Sequence, residues 1–112
     1  MDQQSARELA FFGAEFLDII EPDWPLRVPP WVDIRFNEIC ALGCLYGTFS
    51  RGMEKLGLER PDLFGFYVFG NQKDPAVIAA YARLTAAWRE ERMRRLSLFE
   101  PEEVIEAAVA LR

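Results

Sequence analysis

The placement of seven prolines decides how this chain can divide into elements. Pro22, Pro25, Pro29 and Pro30 crowd into residues 21–32. A proline has a fixed φ and no amide hydrogen, so this stretch cannot be a helix interior or a central strand. It reads as an extended, partly polyproline II strap across the surface, anchored by Trp24, Leu26, Val28 and Trp31. The other three prolines, Pro61, Pro75 and Pro101, fall at helix boundaries. Pro61 blocks resumption of a preceding helix, and the other two suit a first helical turn.

Between these punctuation marks the apolar residues recur at helical spacing. The reading is mainly all-α: one domain over 1–112, a small bundle of about four helices at about 5–20, 34–56, 75–96 and 101–111. The first helix starts at a capping box, Ser5 to Glu8. Its expected buried stripe is Leu9, Phe12, Phe16 and Ile19, with Glu8, Glu15, Asp18 and Phe11 on the wet face. The second runs from an Asp33 cap to Leu56 and ends at Gly57 with Leu58 in a Schellman arrangement. Its middle carries no charge on any side, which marks a buried, central helix. Cys40, Gly43, Cys44 and Gly47 form a stripe of small residues along it, suited to close helix packing within the chain or across a dimer.

The third helix has an Asp74–Pro75 start and a core stripe of Val77, Tyr81, Leu84 and Trp88. Ala79, Ala82 and Ala86 offer a second, flatter packing face. Arg89, Arg92, Arg94 and Arg95 complement its C-terminal dipole. The fourth starts at a second capping box, Ser97 to Glu100, and turns Val104, Ile105, Ala108 and Leu111 inward.

Residues 63–70, Leu-Phe-Gly-Phe-Tyr-Val-Phe-Gly, resist this scheme. They are aromatic and β-branched, with the local preference of a strand. No second convincing strand exists to pair with them. The connection therefore forms a short strand with its copy in a dimer, or else a buried loop or short helix.

The chemistry is bounded mainly by subtraction. There is no histidine, so the commonest general base and metal ligand is missing. Two cysteines are too few for a disulfide scaffold and lack the further ligands zinc needs. No nucleophile stands beside a base, and no glycine-rich loop has the strand–loop–helix setting of a phosphate site. No metal, cofactor or catalytic residue is assigned, and the chain reads as a non-enzyme.

The formal charge is −5, carried by residues 1–62 with 6 basic against 11 acidic side chains. That balance disfavours nucleic acid, whose phosphates it repels. The longest charge-free runs, 39–50 and 63–72, fall well short of the roughly 20 residues of a membrane span. The N-terminal residues lack the basic region of a secretory signal, which points to the cytoplasm.

What remains is a protein-binding module: a small acidic inhibitor, immunity-type protein, adaptor or accessory subunit. Its partner is a protein, or a second copy of the chain in a homodimer. The expected contact residues are the aromatics Trp24, Trp31, Phe64, Phe66, Tyr67 and Phe69, with Phe11 outlying. Asp18, Glu21 and Asp23 form an acidic rim that steers a basic partner. Two alternatives stand beside this: closure of the core by these same aromatics, and a helical binder of an apolar small molecule lined by Phe36, Tyr46, Phe66 and Trp88. A helix-turn-helix regulator is a third reading.

Overall fold

A computed structural model describes residues 1–111; Arg112, the last residue of the expected domain, lies outside them. The described residues form α1 (Gln3–Ile20), α2 (Trp24–Arg27), α3 (Ala41–Tyr46), α4 (Phe49–Leu56), α5 (Pro75–Leu96) and α6 (Pro101–Ala110), with a 3-10 turn at Pro61–Phe64 and no strand. The mainly α reading holds.

The longest helix begins where its start signal is strongest. The Asp74 carboxylate accepts from the Ala76 amide at 2.8 Å, with Pro75 in the first turn. Tyr81, Leu84 and Trp88 are buried as expected, but Ala79, Ala82 and Ala86 face solvent. α1 packs along α5 and begins before Ser5. Asp2 is its cap, accepting from the Ser5 amide at 2.8 Å, so the Ser5–Glu8 box is not used.

The buried face of α1 is also not the expected one. Ala6, Ala10, Gly13, Ala14 and Leu17 are inside, while Phe12 and Ile19 are exposed and Leu9 and Phe16 half-buried. The reason is steric. A Cβ on Gly13 would lie 2.5 Å from the Trp88 ring and 2.0 Å from the Phe64 carbonyl oxygen. Only small residues let α1 approach α5 and the 3-10 turn this closely.

The continuous helix expected over 34–56 is two short helices preceded by turns. Local partners compete with the helical ladder. The Asn37 side-chain oxygen accepts from the Phe49 amide at 3.1 Å, and the Asp33 amide donates to the Ile39 carbonyl at 2.9 Å. Gly47, at φ +97°, ends α3, and Thr48 caps α4 by accepting from the Arg51 amide. The small-residue stripe therefore has no continuous helix to run along. Cys40 caps α3, and a Cβ on Gly43 would meet the Asn37 carbonyl oxygen at 2.4 Å and the Glu38 carbonyl carbon at 2.7 Å. Gly43 makes room for its own preceding turn. The α3–α4 approach depends instead on Gly52, whose added Cβ would lie 2.7 Å from the Leu42 Cβ. The end of the segment is as expected: Gly57 is left-handed, and the Leu58 amide donates to the Met53 carbonyl.

The strap is not extended throughout, since Trp24–Arg27 coils into α2 with Pro25 in its first turn; its remaining backbone and the aromatic connection are both held by side chains of α5. A buried backbone group needs a partner, and without a sheet that partner must come from elsewhere. The Tyr81 hydroxyl accepts from the Val68 amide and donates to the Val68 carbonyl, at 3.1 and 3.0 Å. The Trp88 indole donates to the Gly65 carbonyl at 2.6 Å. The aromatic connection is thus a 3-10 turn and loop, not a strand. On the strap, Arg92 donates to the Val28 carbonyl at 2.5 Å and Arg89 to the Val32 carbonyl at 3.0 Å. The Thr85 hydroxyl accepts from the Ile34 amide at 3.0 Å. Tyr81, Thr85, Trp88 and Arg92 recur at i, i+4, i+7 and i+11, one face of one helix.

The late arginines are therefore structural beyond the helix dipole. Arg95 pairs with Asp18 at 3.1 Å and with buried Glu91, which also takes Arg94 at 2.5 Å. α6 lies against α2. It has no side-chain cap and buries none of its residues, so the inward set Val104, Ile105, Ala108 and Leu111 is only partly covered.

Candidate functional site

The expected contact aromatics divide into core and surface. Trp24 and Phe66 are fully buried, both packed on Trp88: Trp24 edge-on at 5.6 Å and Phe66 stacked at 5.3 Å. Phe64 is half-buried against Phe16 at 5.0 Å. Tyr67 is half-buried and stacks on Phe49 at 5.5 Å. Trp31, Phe69 and Phe11 stand exposed. These three come from different segments, and among the described residues no ring contact joins them to one another.

The expected acidic rim is largely engaged within the chain. Asp18 accepts from the Trp24 indole at 2.8 Å as well as from Arg95. Glu21 accepts from Arg27 at 2.8 Å and from the Tyr46 hydroxyl at 3.0 Å, and Asp23 lies 3.5 Å from Arg27. These carboxylates tie the α1–α2 corner to α3 and α5. The lining proposed for an apolar ligand does not converge either. Phe66 and Trp88 fill the core, Tyr46 is turned to Glu21, and Phe36 is exposed beneath the Arg35 guanidinium.

Both thiols are free. Cys40 accepts from the Gly43 amide at 3.2 Å. Burial pushes Cys40 up from the ordinary thiol value, and burial with the neighbouring Cys40 pushes Cys44 up to about 11. Such thiols hold little thiolate near neutral pH. Among the described residues no three Cys, Asp or Glu groups gather as a metal cluster, and no helix is long and apolar enough to cross a membrane.

The structure instead presents a surface on the outside of α1. Phe12 is 51% exposed and Ile19 81%, and with Glu8 and Glu15 they form one stripe at i, i+4, i+7 and i+11. Phe11 lies beside Phe12, with ring centroids 6.3 Å apart, and carries the Arg95 guanidinium over its own ring at 5.7 Å. Phe11 and Leu98, the latter 82% exposed, line a shared depression with Asp18, Arg94 and Arg95. Glu8 and Glu15 form no ion pair among the described residues. Glu8 only accepts from the Gln4 amide at 3.1 Å.

Phe11 was singled out in sequence by its place between Glu8 and Glu15. Phe12 and Ile19 were missed as surface because large apolar residues at helical spacing read as core. The competing signal was present: Ala6, Ala10, Gly13, Ala14 and Leu17 follow the same period on the opposite face.

Comparison with known proteins places no relative beside this arrangement: no family model, curated protein or solved structure matches the chain.

Proposed function

We propose that the chain is a non-catalytic protein-binding module acting in the cytoplasm, as a small acidic inhibitor, adaptor or accessory subunit. The observation that carries this reading is the outer face of α1. Phe11, Phe12 and Ile19 are exposed around two glutamates that form no ion pair among the described residues, on a helix whose inner face is already fully packed. Exposed apolar clusters rimmed by charge are a common form of protein contact surface. A helix face with exposed apolar residues at i and i+7, Phe12 and Ile19, suits an apolar groove in a partner.

The charge selects among partners. Glu8 and Glu15 favour a groove that carries arginine or lysine, through complementary potential. A second copy of the chain is the less favourable occupant. A two-fold contact of this stripe brings four carboxylates together, and the stripe itself holds no cation.

The test compares capture by the wild-type chain with capture by two variants, Phe12→Asp with Ile19→Asp, and Glu8→Lys with Glu15→Lys. The reading expects a partner held by the wild type, lost with the first variant and weakened by the second most strongly at low salt. A partner retained equally by all three proteins overturns it.

A further inference from the structure

A second concavity, of about 270 Å³, opens between the turns after the strap, the start of α4 and the aromatic connection. It shares no lining residue with the α1 surface. Its floor is made by the buried side chains of Ile34, Cys40, Phe66 and Tyr81, and its wall by the paired rings of Phe49 and Tyr67. The exposed residues Arg35, Asn37 and Gln72 complete the lining.

The polar groups there are donors with little to do. Arg35 forms no ion pair among the described residues, and its guanidinium makes one long bond, 3.4 Å, to the Gln72 carbonyl. Asn37 spends its side-chain oxygen on the Phe49 amide, which turns its NH2 group into a spare donor. The Gln72 side chain bonds to nothing among the described residues. No carboxylate of the described residues lines the cleft. The Tyr81 hydroxyl and the Cys40 sulfur, by contrast, are committed to Val68 and to Gly43.

We propose that this cleft binds a small planar aromatic carboxylate. The Phe49–Tyr67 pair, whose rings face each other, offers its edges or an outer face to an aromatic ring. Arg35, assisted by the spare amide hydrogens of Asn37 and Gln72, holds the anion at the mouth, where guanidinium and carboxylate match as a bidentate pair. The volume, about 270 Å³, falls just below the usual range of ligand pockets, roughly 300–1,000 Å³, and so admits no more than one or two fused rings.

The test is an NMR titration of the isotope-labelled chain with 2-naphthoate, and in parallel with neutral 2-naphthylmethanol. The expected result is shift perturbation centred on Phe49, Tyr67 and Arg35, with naphthoate binding about tenfold tighter than the alcohol. A charged hydrogen bond contributes enough for that factor. Arg35→Gln, an exposed position, removes the preference for naphthoate while leaving thermal unfolding unchanged. Perturbation centred on Phe11, Phe12 and Leu98, equal binding of acid and alcohol, an unchanged preference in Arg35→Gln, or no perturbation at millimolar naphthoate would each overturn the proposal.

Discussion

α1 and α5 differ in the large side chains they bury. α5 buries Tyr81, Leu84 and Trp88 and shows Ala79, Ala82 and Ala86 to water. α1 buries three alanines and a glycine, with Leu17 as its one large buried residue, and shows Phe11, Phe12 and Ile19. The pairing is complementary at the interface, since large rings on one helix need small residues on the other. It is not symmetrical at the surface. Exposed alanines ask for no explanation, whereas a row of exposed phenylalanine and isoleucine does. The same close approach that suits Trp88 to Gly13 turns the large residues of α1 outward, and this links the fold to the proposed contact surface.

The comparison breaks most visibly at Trp88. This side chain packs on Trp24 and Phe66 and donates to the Gly65 carbonyl. Trp88→Ala should cost roughly 3–5 kcal/mol in chemical denaturation, much of the stability of a small domain. Gly13→Ala tests the other side of the contact. Alanine favours a helix by about 1 kcal/mol over glycine in isolation. Here the added methyl would meet backbone at 2.0 Å and the indole at 2.5 Å. We expect a net loss of about 1–3 kcal/mol, the range of overpacking; an unchanged or raised unfolding midpoint would show that α1 shifts freely away from α5.

A smaller effect concerns the α1–α3 corner at high pH. Burial, with the Glu21 contact, pushes the Tyr46 hydroxyl up to about 12 from an ordinary 10.0, and Cys44 rises from 9.0 to about 11. The folded chain thus keeps both protons longer than the unfolded chain does. Their contribution to stability is whole below about pH 9 and is lost as pH rises through 9 to 12, because the unfolded state deprotonates first. Thermal unfolding followed across that range should show the decline, and Cys44→Ala should remove its lower part, between 9 and 11.

Signals confined to a few neighbouring residues were legible in the sequence. Asp74–Pro75 starts α5 and Gly57 ends α4 because caps depend on local backbone geometry. The proline segment was legible as a break between helices, but not as one that contains α2, where Pro25 sits in the first turn and its missing amide hydrogen costs no helical bond. Its fasteners were not legible, since Arg89 and Arg92 reach it from some 60 positions along the chain. The aromatic connection lacked a visible strand partner for the same reason: its backbone partners are the side chains of Tyr81 and Trp88. The break within 34–56 rests on the Asn37–Phe49 bond and the positive φ of Gly47, against an apolar pattern that favours one helix. Of the site, Phe11 was legible as an oddity between two glutamates. Phe12 and Ile19 were not, because periodicity names two faces of a helix without saying which one meets a tryptophan.

The claim that the outer face of α1 lies outside the fold's own packing is tested most directly by chemical denaturation of Phe12→Ser combined with Ile19→Ser. If that face exists for a partner, the isolated variant should unfold within about 0.5 kcal/mol of the wild type, as surface substitutions do. A loss of about 2 kcal/mol or more, the range of buried large-to-small changes, would place both side chains in the core and contradict the account.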